Sequence, residues 1–129
     1  MSDEEKSSFE RLLYMRESSI ASISNITDDV SYRVQSILGN RLSKIILYGS
    51  YARGNSDSES DIDIMVLADV GDNELEQLGK ALWDIGWNVG FQYDFMISVF
   101  LKDTSHFYEW MDAMPYYRNI IEDGVVLYG

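Results

Sequence analysis

Residues 44–66 read KIILYGSYARGNSDSESDIDIMV. A short apolar run over 44–48 stops at Gly49-Ser50, and a hydrophilic loop follows. A second apolar run then opens with aspartates at alternate positions, Asp61 and Asp63. Side chains of a strand alternate between its two faces. Asp61, Asp63 and Met65 therefore share one face, and Ile62, Ile64 and Val66 share the other, free to pack on helices. Two acids within an apolar run need something to hold them there.

Outward from this centre the chain reads as alternating helices and strands. Upstream, Ile26, Val30, Val34 and Ile37 recur at three- and four-residue steps, one helix face. Thr27 is placed to cap that helix, with Asp28 and Asp29 in its first turn, and Gly39-Asn40 to stop it. Phe9, Leu12, Leu13, Ile20 and Ile23 predict an added N-terminal helix over 1–26. Downstream, Asn73 with Glu76 resembles a capping box. Leu75, Leu78, Leu82 and Ile85 form the inner face of the helix it opens, and Gly86 is the expected stop. A third strand is predicted over 93–101 (YDFMISVFL), and a helix from Thr104 or Ser105. A last helix begins at Pro115, and a final strand covers 125–128. The expected fold is α+β, a small mixed sheet flanked by helices, with one domain over 27–129.

In the third predicted strand Asp94, Met96, Ser98 and Phe100 share a face. If that strand neighbours the one carrying Asp61 and Asp63, three carboxylates converge. Converging carboxylates raise one another's pKa and destabilise the fold unless a cation lies between them. A hard divalent ion such as Mg²⁺ meets that need, taking carboxylates, waters and phosphate oxygens. Two such ions about 4 Å apart activate an attacking oxygen and stabilise a leaving one. The Gly49-Ser50 turn supplies the complementary half. Its backbone N–H groups face an anion, Gly49 allows close approach, and the Ser50 hydroxyl adds a donor. Arg53 is available for phosphate or for bracing the loop, in which Asp57, Glu59 and Ser60 would overlie the metals.

Composition narrows the partners. The formal charge of −12 argues against direct nucleic-acid binding and suits a basic protein partner. With no cysteine there is no thiolate nucleophile and no disulfide, in keeping with a reducing, cytoplasmic setting. The opening MSDEEK is no secretory signal, and the apolar runs are strand-sized, too short to span a membrane. His106 reads as a surface or boundary residue. Trp83, Trp87, Trp110, Tyr116 and Tyr117 read as core.

The segment GSYARGNSDSESDID resembles the G-S-x10-D-x-D signature of the DNA polymerase β-like nucleotidyltransferase superfamily. The form GSYARG, the later acid in YDFMI and the closing PYYRNIIEDGVVLYG are similar to its minimal nucleotidyltransferase branch. The resemblance covers roughly residues 27–129. It implies transfer of a nucleoside monophosphate from an NTP such as ATP to a hydroxyl acceptor, releasing pyrophosphate. It further implies that Gly49 and Ser50, with Arg53, hold the triphosphate, and that Asp61, Asp63 and Asp94 hold the metals. Many members of the branch are antitoxins paired with a HEPN-domain toxin, and some adenylylate a toxin tyrosine, which makes homo- or hetero-oligomers possible here. Two other readings stand beside this one: a nucleotidyltransferase acting on a small molecule such as an aminoglycoside, and an antitoxin that acts by binding alone.

Overall fold

A computed structural model describes residues 23–53 and 61–129. Helix α1 is described over 23–38, and a single 3₁₀ turn, Gly39–Arg41, follows it. The remaining elements are β1 (Leu42–Tyr48), α2 (Ser50–Arg53), β2 (Ile62–Ala68), α3 (Asp72–Tyr93), β3 (Ile97–Asp103), α4 (Thr104–Trp110), α5 (Pro115–Asp123) and β4 (Val125–Tyr128). The sheet order is β3-β2-β1-β4. β1 runs antiparallel to both β2 and β4, and β2 runs parallel to β3. A parallel pair needs a crossover, and the long α3 provides it. The mixed sheet flanked by helices is the architecture expected from the sequence.

Strand alternation divides the core in two. Ile45 and Leu47 of β1, with Ile62, Ile64 and Val66 of β2, face α1 and α3. Ile46 and Tyr48, with Met65 and Leu67, face Phe107 of α4 and Tyr117 and Ile120 of α5. Phe107 stacks on Tyr117 with ring centroids 4.5 Å apart. Each fully buried side chain of this kind contributes about 1.5–3 kcal/mol through the hydrophobic effect. Asp63 lies on the α4/α5 face, beyond the end of that smaller core.

Several local expectations are corrected. Thr27 is not a cap: α1 passes through it, and its hydroxyl donates to the Ser24 carbonyl at 3.1 Å, the back-bonding of a residue inside a helix. The buried seam of α1 ends on Leu38, while Ile37 is exposed. The capping box at Asn73 and Glu76 does not form; Gly71 takes the N-cap position and no side chain caps the helix. Gly86 does not stop α3, which continues to Tyr93. Gly86 and Gly90 instead let the helix lie against the chain entering β3. A Cβ would stand 2.7 Å from the Ile97 carbonyl oxygen at Gly86 and 2.4 Å from that of Phe95 at Gly90. That longer helix consumes the first residues assigned to the third strand, so β3 starts at Ile97. Trp83, Trp87, Trp110 and Tyr116 are exposed rather than core, whereas Tyr117 is buried. The helix expected from Phe9, Leu12, Leu13 and Ile20 lies outside the described residues.

Candidate active site

The register of β1 on β2 pairs Tyr48 with Asp63. The chain leaves β1 at Tyr48, so the Gly49 turn comes up against the Asp63 side chain. Gly49 has φ +79°, and a Cβ there would stand 2.8 Å from Asp63 Oδ2. Only glycine takes this left-handed conformation without strain and also leaves the carboxylate its space. Ser50 begins α2 directly after the turn, half-buried. Tyr51 and Ala52 pack on the larger core, and the Tyr51 ring meets Phe95 edge-on at 6.5 Å. The turn is thereby fixed both to Asp63 and to the chain entering β3.

Asp61 is exposed and Asp63 half-buried. Burial, and then the negative charge of Asp61, push the Asp63 carboxyl above the usual range. On its other side Asp63 adjoins a pair of phenols. The Tyr116 hydroxyl donates to the Tyr48 hydroxyl at 2.9 Å, and the rings meet edge to face at 6.0 Å. Tyr48 is held far above an ordinary phenol pKa, mainly by burial, then by Tyr116 and by the charge of Asp63, so it stays protonated. No sequence signal marks this pair: the two residues lie on separate elements, and no spacing rule joins them.

Asp94 is not placed as the sequence predicted. It is the C-cap of α3, with φ 60° and ψ 46°, and precedes β3 rather than belonging to it. The parallel register sets Ser98 beside Asp63, and the Ile62 N–H donates to the Met96 carbonyl at 2.9 Å. One step back along that register, Met96 stands alongside Asp61. The positions beside the two acids are thus a serine and a methionine. Among the described residues no group of three or more Asp, Glu, His or Cys lies close enough to hold a metal ion. Gly49, Ser50, Asp61 and Asp63 are brought together, and Asp94 is not among them. Arg53 ends α2, but its side chain lies outside the described residues, as do Asp57, Glu59 and Ser60. His106 is exposed, and its backbone N–H is capped by Asp103, away from the acid pair.

The donor set fits a hard cation. A desolvated carboxylate, repelled by a second one and cradled by a glycine, is relieved by a divalent ion. Mg²⁺ is commonly held by one or two carboxylates with substrate phosphates completing its shell.

The Nucleotidyltransferase domain family matches residues 24–128. The chain belongs to this family. As a nucleotidyltransferase it has relatives in Methanocaldococcus jannaschii named "Putative protein adenylyltransferase". One is 36% identical over 89 residues, covering 68% of this chain and 80% of that protein. Another is 36% identical over 67 residues, covering 50% of this chain and 64% of that protein. A solved toxin–antitoxin structure with AMP-PNP is 20% identical to this nucleotidyltransferase, with a TM-score of 0.49. It covers 78% of this chain and 71% of that one, a likeness too distant to carry an inference. Among the described residues of the nucleotidyltransferase, no helix is long and apolar enough to cross a membrane.

Proposed function

We propose that this nucleotidyltransferase is a Mg²⁺-dependent protein adenylyltransferase. It moves AMP from ATP to a tyrosine hydroxyl of a cognate HEPN-domain toxin in the cytoplasm, and so acts as an antitoxin. The observation that carries the reading is the contact between the Gly49 turn and the carboxylate of Asp63, with Asp61 beside it. A phosphate-binding turn and a cation-seeking acid pair at one point are what a metal–triphosphate needs. The relatives named as protein adenylyltransferases support a protein acceptor. The charge of −12 suits a basic one, and the sequence resemblance supplies the toxin class.

In the reaction the acceptor oxygen bonds to the α-phosphorus of ATP. The bond from that phosphorus to the bridging oxygen breaks, pyrophosphate leaves and the hydroxyl proton is released. Bound Mg²⁺ would neutralise the charge developing on the phosphate oxygens. Asp61 and Asp63 would hold the metal. The Gly49-Ser50 turn donates N–H and hydroxyl groups to the triphosphate, with Arg53 following in the same short helix. Positioning and electrostatics do most of the work in chemistry of this class.

The test is incubation of the chain with α-labelled ATP, Mg²⁺ and the candidate toxin. Label on a toxin tyrosine, lost with Asp61→Asn and with Asp63→Asn, supports the proposal. Full neutralisation of the toxin by the doubly substituted chain would show that binding alone suffices.

A further inference from the structure

The outer face of α3 carries Trp83, Trp87 and Phe91 at four-residue intervals, one stripe along the helix. All three are exposed, Phe91 at 91%. The neighbouring edge strand extends the stripe: Trp83 meets Phe100 at 5.7 Å between ring centroids. At the other end Trp87, Phe91 and Met96 line a cavity of about 280 Å³, with Asp94 on its wall. Exposed aromatic residues gathered on one face around a cavity mark an interaction site.

Two observations bear on what covers it. The first is continuity with the acid site. Met96 stands alongside Asp61, and Phe95, on the cavity wall, touches Tyr51 next to Ser50. The second is charge. Lys80, one turn before Trp83, and Lys102, two residues past Phe100, make the far end of the stripe basic. The cavity end is acidic, with Asp84 one turn before Trp87 and Asp94 on the cavity wall, on a chain of net charge −12, so a basic surface meets opposite charge at the end nearest the acid site. We infer that the α3/β3 stripe is the docking surface for the protein acceptor. The partner is a basic polypeptide with an apolar face. It seats a large side chain in the cavity, pairs a cation with Asp94, and so brings its hydroxyl to the acid pair. Trp87 and Phe91 carry the binding, as aromatic residues around a pocket usually do.

This inference deepens the proposed function and can be tested apart from it. The probes are two tyrosine-containing amphipathic helical peptides, one of leucine and lysine, the other of leucine and glutamate. Their binding to the full chain is read by fluorescence anisotropy. The lysine peptide is expected to bind, and the glutamate peptide not. The double variant Trp87→Ala/Phe91→Ala, which keeps every charge, is expected to weaken lysine-peptide binding by about tenfold or more. Magnesium–ATP binding by that variant stays intact. Unchanged peptide binding in the double variant would overturn the inference, because non-specific charge attraction would then explain it. Equal binding of both peptides would overturn it too. So would sedimentation of the unliganded chain as a dimer that the double variant dissolves, since a second copy would then cover the face. Asp61→Asn with Asp63→Asn leaves peptide binding intact, so a failed nucleotide site and a failed docking surface give different results.

Discussion

The α-carbon of Gly49 faces the carboxylate of Asp63 so closely that one added methyl group would lie 2.8 Å from Oδ2. The turn and the acid strand are therefore one device. Gly49→Ala both strains a backbone at φ +79° and pushes Asp63 aside. The left-handed conformation alone costs about 1–2 kcal/mol for a residue with a Cβ. Displacing the carboxylate by a fraction of an ångström lowers kcat/KM for nucleotidyl transfer by about a hundredfold. Urea denaturation and initial rates measure the two effects separately. A variant with wild-type rates would mean that the contact has no part in catalysis.

Asp63 titrates at a raised pKa in the metal-free fold, so its protonated form is the one folding favours. Its contribution to stability is complete below the ordinary value of 3.8 and is lost as pH rises through the raised value. At pH 7 the charged, desolvated side chain opposes folding. Asp63→Asn is expected to raise the melting temperature of the metal-free chain at pH 7 by about 2–5 °C. The gain should shrink as pH falls toward 4, and Mg²⁺ should stabilise the wild type more than the variant. Thermal melts across this pH range, with and without Mg²⁺, give the comparison.

Gly86 and Gly90 hold α3 against the chain entering β3, where a methyl group would meet a backbone carbonyl at either position. Backbone cannot step aside as a flexible side chain does. Gly86→Ala and Gly90→Ala are each expected to destabilise the fold by about 1–3 kcal/mol, despite the better helix propensity of alanine. Chemical denaturation measures this directly, and a stabilising result at either site would contradict the packing described.

Asp94 caps α3 apart from the acid pair. Asp94→Asn is expected to leave Mg²⁺ affinity unchanged in calorimetric titration. Asp61→Asn is expected to weaken that affinity and to slow transfer by about a hundredfold. Equal losses in the two variants would restore Asp94 to the metal set.

Much of this was legible in the sequence, for physical reasons. The two-residue alternation of Asp61 to Val66 fixed which side chains face which layer, and Gly49-Ser50 marked the end of β1. Both are local signals. The placement of Asp94 in the third strand failed where a local signal was misassigned. Gly86 reads as a helix stop, yet here it and Gly90 serve close packing, which depends on the partner element and not on neighbouring residues. With α3 two turns longer than predicted, β3 began later and the third acid left the strand. Trp83 and Trp87 were misread for a related reason: tryptophan has a core-like character, and the exposure of these two is visible only once Leu82, Ile85 and Val89 are seen facing inward. The Tyr48–Tyr116 pair was not foreseeable at all, because its geometry exists only in the folded chain.

The most direct test of the central claim is a crystal of the chain grown with Mn²⁺ and a non-hydrolysable ATP analogue, examined by anomalous scattering. The account predicts a metal peak bridging the carboxylates of Asp61 and Asp63, with the triphosphate lying on the Gly49-Ser50 turn. Both side chains turned out into water with no ion between them, or a nucleotide bound elsewhere, would contradict it.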